Sequence, residues 1–209
     1  MLIPINILAV FFSASIILAL TPGPDNIFVL TQSAIRGRLA GWVITLGLCT
    51  GLIIHTLMVS SGVAVIYKAS PVAFTSLKLI GGAYLLFLSF LSFRASAAKL
   101  RPSKNGGDSL LQLYLRGIIM NMTNPKVSIF FLSFLPQFAD PERGPIMLQI
   151  VTLGFVFIIS ALLVFGMISF FAGSLGRLLQ NSPDAQNIMN RIAAMVYALL
   201  AVKLISAEI

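Results

Sequence analysis

Six apolar segments, each of membrane-spanning length, follow one another along this chain: Ile5 to Ala34, Gly41 to Ile66, Val72 to Phe93, Leu110 to Phe138, Pro145 to Ala172 and Asn187 to Ser206. A helix needs about 20 apolar residues to cross roughly 30 Å of hydrocarbon, where every backbone polar group must find an internal partner. Segments of this length meet that demand as helices, so the expected fold is an all-α, polytopic membrane protein with six transmembrane helices. With 58% hydrophobic and 10% charged residues, the chain has no room for a large soluble domain. Residues 1–209 are therefore expected to form one transmembrane domain.

The formal charge of +8 does not indicate a nucleic-acid partner, because the basic residues lie mostly in short turns between apolar runs, where topology signals belong. The stretch Met1 to Leu20 has no basic leader and no small-residue cleavage site, so it is expected to be a retained span. Cys49, the single cysteine, excludes an internal disulfide or a cysteine-based metal cluster and is expected to serve packing.

The separators are turn-rich: Arg36-Gly37-Arg38, Lys68 to Pro71, Lys99 to Asp108, Asp140 to Gly144 and Gln180 to Asp184. The longest lies near the midpoint and divides the chain into repeat one, about 1–98, and repeat two, about 108–209. Lys78-Leu-Ile-Gly-Gly-Ala-Tyr84 in span three parallels Arg191-Ile-Ala-Ala-Met-Val-Tyr197 in span six. Three spans per unit is an odd number, so the two units are expected to be inverted repeats. Arg36, Arg38, Arg94, Lys99, Arg101, Lys104, Arg116, Arg177 and Arg191 fall on one side of such a topology, against Lys68, Arg143 and Lys203 on the other. The positive-inside rule then places the first group in the cytoplasm and both termini outside.

Within the first and fourth spans, proline interrupts the helix beside a charge: Thr21-Pro22-Gly23-Pro24-Asp25-Asn26 and Asn124-Pro125-Lys126. Proline removes an N–H and clashes with the preceding turn, while Gly23 permits backbone angles that other residues resist. Asp25 lies eleven residues from Arg36 and Lys126 ten from Arg116. At about 1.5 Å per residue, both reach roughly 15 Å into the membrane, near its midplane. A charge there costs at least about 2.5–3.5 kcal/mol, so each is expected to face a partner or a cavity. The two are expected to approach each other across the pseudo-two-fold axis. A half-helix starting at the break offers N–H groups to a carboxylate, and the carbonyls before it suit an ammonium, a pattern matching a zwitterionic amino acid. A static pair that merely locks two kinks is the competing reading.

His55, the one histidine, titrates near neutrality and could carry a proton, or could simply hydrogen-bond a neighbouring helix. Lys78 is expected to snorkel toward the outer face. Gly37-x-x-x-Gly41 and Gly47-x-x-x-Gly51 are spacings that let helices approach closely, within one subunit or in a homodimer. No Walker loop, dinucleotide fingerprint, zinc motif or nucleophile–base set occurs, so neither an enzyme nor a cofactor is expected.

The chain resembles the LysE/RhtB family of bacterial amino-acid exporters. The resemblance rests on Thr21 to Asn26, the turn Arg36-Gly37-Arg38-x-x-Gly41, Lys78-x-x-Gly81-x-x-Tyr84-Leu85, and Asn124-Pro125-Lys126 followed by Leu135-Pro136-Gln137-Phe138. It covers nearly the whole chain and implies efflux across the bacterial inner membrane of an amino acid or derivative such as homoserine, homoserine lactone, threonine, leucine or lysine, by proton exchange. Asp25 is the lone intramembrane carboxylate, so a neutral substrate is expected over a cationic one. The expected substrate contacts are Thr21, Pro22, Gly23, Pro24, Asp25, Asn26, Asn124, Pro125 and Lys126. Burial and a nearby cation act in opposite senses on a carboxylate's proton, which makes Asp25 the first candidate for proton coupling and His55 the second. A passive channel for zwitterions and a scaffold without transport are the alternatives.

Overall fold

The computed structural model describes residues 2–69, 71–95, 108–181 and 183–206, with side chains described throughout these except at 63–69, 71, 73, 74, 173–181, 183 and 185. Lys99, Arg101 and Lys104 of the expected cytoplasmic group lie outside the described residues, as do the side chains of Lys68 and Arg177. Helices α1 (Ile5–Leu20), α2 (Pro24–Arg36), α3 (Arg38–Ala69) and α4 (Pro71–Arg94) are followed by α5 (Leu110–Thr123) and α6 (Pro125–Ile129). A π-turn at Phe130–Phe134 and 3₁₀ turns at Leu135–Phe138 and Pro141–Arg143 lead into α7 (Ile146–Asn181) and α8 (Pro183–Ser206). No strand occurs among the described residues. Among the described residues four helices, α3, α4, α7 and α8, are long and apolar enough to cross a membrane, or up to six spans if each bent pair counts as one. The chain is a polytopic all-α membrane protein.

Both bends fall where proline demands them. Between α1 and α2 the axis turns by 61°, and between α5 and the α6 segment by 52°. Thr21 closes α1 by donating its N–H to the carbonyls of Ile17 and Leu18, and its hydroxyl bonds Ile17 as well. Pro24 then opens α2 at the first helical position, where its missing N–H costs nothing. At the second break Asn124 is held extended (φ −77°, ψ 106°), the conformation favoured before proline, and Pro125 opens α6. Gly37 sits at φ +87°, a left-handed angle that lets α2 end and α3 begin one residue later.

Small residues set the helix crossings. A Cβ on Gly47 of α3 would lie 2.2 Å from the Tyr114 carbonyl of α5, and one on Gly117 would lie 2.6 Å from the Ile44 carbonyl, so backbone meets backbone here. Four residues on, Gly51 faces Asn121, so α3 and α5 run in the same direction. Gly41 faces Ser169 and Gly154 faces Thr56, which makes α3 and α7 antiparallel. Helices α4 and α8 are antiparallel too, with Gly81 against Leu204 and the Ser89 hydroxyl donating 2.7 Å to the Ala194 carbonyl. The centre is aromatic: Phe11 packs on Phe138 at 5.0 Å, and Phe157 on Phe130 at 5.2 Å and Phe131 at 5.1 Å. Cys49 is buried and free. Large apolar side chains such as Phe155, Met195 and Leu199 point outward, as a lipid-facing surface requires.

Two sequence expectations are corrected. The turn expected from Gln180 to Asp184 is narrower, because α7 continues through Asn181 and α8 already begins at Pro183. Lys78 does not snorkel: it is buried in the bundle on α4, whose position in sequence sets its depth but not which face it occupies.

Candidate functional site

The two breaks meet. Asp25, from the first turn of α2, and Lys126, from the first turn of α6, line the same cavity, together with Asn121 of α5, Leu52 of α3 and Phe157, Ala161 and Phe165 of α7. Its volume of about 10 Å³ is close to the minimum that holds one water, and far from that of an amino acid. Asp25 is 2% and Lys126 7% exposed, so both ionisable groups named from the sequence are withdrawn from the protein surface.

They are not joined by an ion pair. The Lys126 ammonium instead donates to the carbonyls of Thr21 (2.9 Å) and Leu18 (3.3 Å), the last carbonyls of α1 freed by the break. Beside the Asp25 carboxylate lie the amides of Asn121 and Asn124, with Lys126 and the His55 ring within electrostatic reach. Even so, Asp25 Oδ1, Asn121 Oδ1 and Asn124 Nδ2 are buried without a hydrogen-bond partner. Buried polar atoms are rarely left so in folded proteins, which sets this cluster apart from the apolar core around it.

The neighbouring motif residues shape the breaks. The Asn26 amide spans the first one, donating 2.6 Å to the Ala19 carbonyl. Asn124 caps α6, its Oδ1 accepting from the Lys126 backbone N–H at 3.0 Å. Gly23 has an extended backbone (φ −170°), and its role is space: a Cβ there would lie 3.1 Å from Lys126 Nζ. Pro24 and Pro125 each stand at the first position of the helix that follows its break. The ring of His55 on α3 lies 3.3 Å through Nε2 from the Asn121 carbonyl and 5.6 Å from the Phe131 ring, so a hydrogen-bonding neighbour is present as the simpler reading requires. No group of three or more metal-ligating side chains occurs among the described residues.

Asn121 is the residue that sequence reasoning missed. A 1% exposed amide one turn before the second break, it packs against Gly51, meets the His55 ring through its backbone carbonyl and lines the cavity with Asp25. A polar side chain inside an apolar segment was the available signal. The α7 wall carries none, since Phe157, Ala161 and Phe165 are ordinary span residues.

At one end of the bundle Asp108 ties α2 to α5. Arg36, ending α2, donates 2.8 Å to the Asp108 carbonyl and lies 3.6 Å from its carboxylate, which also pairs with Arg116 of α5. Arg38 stacks 4.0 Å from the Phe170 ring at the same end. Lys203 lies over Phe138, close to the loop where Arg143 pairs with Asp140 at 3.1 Å.

A family model described as LysE type translocator matches residues 16–208. An uncharacterized membrane protein of Pseudomonas aeruginosa is 36% identical over 127 residues, 58% of this chain and 59% of that one. An uncharacterized membrane protein of Vibrio cholerae is 28% identical over 196 residues, 92% of this chain and 93% of its own. The homoserine/homoserine lactone efflux protein of Salmonella typhi is 29% identical over 198 residues, 95% of each chain. No solved structure matches the chain.

Proposed function

This chain belongs to the LysE type translocator family, and on that premise we propose that it exports an amino acid or close derivative from the bacterial cytoplasm by proton antiport. The observation that carries the reading is the cavity shared by Asp25 and Lys126, one from each broken span. Helical breaks at membrane depth are tolerated where they line a cavity, and transporters place their substrate sites there. The absence of a direct ion pair argues against a static lock between the two kinks.

A neutral substrate fits best. Asp25 is the one carboxylate at the cavity, and a second cationic group on the substrate would find no buried partner. Homoserine, threonine and homoserine lactone meet that requirement, and the name of the Salmonella typhi relative supports the choice. The substrate ammonium goes to Asp25 and the α1 carbonyls, and its carboxylate, or the lactone carbonyl, to the N–H groups opening α2.

Inverted repeats are supported by the antiparallel pairing of α3 with α7 and α4 with α8, which occupy equivalent places in the two units. Meeting of Arg36 and Arg116 at Asp108 supports their common placement on the cytoplasmic side, with both termini outside. One proton entering per zwitterion leaving moves one net charge, worth roughly 2.3 kcal/mol per 100 mV, or about a fifty-fold gradient. Everted vesicles with an acidified lumen are expected to accumulate labelled homoserine or threonine, well ahead of lysine, and to release it on adding a protonophore. Equilibration indifferent to the protonophore would indicate a passive channel, and no flux of any amino acid a scaffold.

A further inference from the structure

We propose that the Lys126 ammonium is a resident stand-in for the substrate's ammonium: it holds the carbonyl end of α1 whenever substrate does not, and its return to those carbonyls lets the unloaded carrier reset. This rests on the transport reading above and reassigns Lys126 from a substrate contact to a substrate substitute. Its ammonium already makes the contacts expected of a substrate amine, to Thr21 and Leu18 at the negative end of a half-helix. With about 10 Å³ of space, the cavity cannot admit an amino acid while Lys126 stays in place. The Gly23 backbone comes close to the same nitrogen, where even a methyl would sit at 3.1 Å, so the ammonium fills a seat shaped to its size.

A second seat exists. Asp25 Oδ1 and Asn121 Oδ1 are acceptors without donors in the same cavity, and a lysine side chain displaced from the carbonyls can turn to them. One ammonium enters as another moves aside, so the α1 carbonyls always hold a cation, and no covalent bond is made or broken in the step. Leaving a buried charged or polar group unpaired is what would otherwise oppose the empty return.

The consequence is a split between two modes of transport. Exchange of internal for external substrate never requires the unloaded carrier to reset, whereas net efflux into substrate-free buffer requires it every cycle. In proteoliposomes holding the full chain, with labelled L-homoserine as probe, Lys126→Met is expected to lower net efflux about tenfold more than it lowers exchange, the scale of losing a charged hydrogen-bond partner. Equal loss in both modes, or undiminished net efflux, would overturn the proposal. Should Lys126→Met fail to reach the membrane, Gly23→Ala, which presses on Nζ, is expected to show the same split in weaker form, and an equal effect on both modes would overturn it. If the wild-type protein moves homoserine, threonine and homoserine lactone in neither mode, the transport reading itself has failed, which the wild-type arm alone reveals.

Discussion

Asp25→Asn is expected to cut proton-driven accumulation of substrate in everted vesicles by between about 10- and 100-fold, with the protein still present and assembled in the membrane. The magnitude follows from a charge-assisted hydrogen bond worth about 1.5–3 kcal/mol, at 1.4 kcal/mol per factor of ten. Asparagine keeps the shape of the side chain but carries neither charge nor exchangeable acid proton. Among the other described acidic residues, Asp108 is spent on Arg36 and Arg116, Asp140 pairs with Arg143, and Glu142 and Asp184 are exposed. None can replace Asp25 at the cavity. Full protonophore-sensitive accumulation by the variant would remove the coupling role from Asp25 and leave His55, across Asn121, as the candidate.

The other large effect is structural. Gly47→Ala is expected to destabilise the bundle by about 1–3 kcal/mol or more, the usual cost of overpacking, because its methyl would lie 2.2 Å from a backbone carbonyl that cannot rotate away. To relieve the clash α3 and α5 must separate, and α3 carries His55 and Leu52 to the site while α5 carries Asn121. Lower folded yield and a lower thermal midpoint in detergent are therefore expected to accompany loss of transport. Gly62→Ala, on the same helix with nothing within 4 Å, is the matched control and should be neutral or slightly stabilising. If the two variants behave alike, the crossing is not the close contact described.

Much of this was legible beforehand for physical reasons. Hydrocarbon enforces helical length, so the apolar runs marked the spans, and proline cannot sit silently inside a span, so Pro22, Pro24 and Pro125 marked the breaks. Flanking arginines gave Asp25 and Lys126 a common depth, and the structure brings both to one cavity. Depth along a helix says nothing of rotation about it, so the sequence neither assigns the α1 carbonyls to Lys126 rather than Asp25 nor turns Lys78 inward. Asn121 carries a weaker local signal than Asn124, which stands beside the proline. Nor did hydropathy show that α7 runs to Asn181, since a helix leaving the membrane no longer needs apolar residues.

On this mechanism substrate crosses through the cavity between the two breaks. Ala161 lines it from α7, and with Cys49 the only native cysteine, Ala161→Cys in a Cys49→Ser background places a single thiol there. Its rate of labelling by a membrane-impermeant thiol reagent, applied to one face of the membrane at a time, with and without substrate, reports whether that cavity opens to each side and holds substrate. Labelling is expected from either face applied alone, slowed several-fold by saturating homoserine or threonine. A thiol that reacts from neither face, or at a rate that no transported amino acid alters, would contradict it.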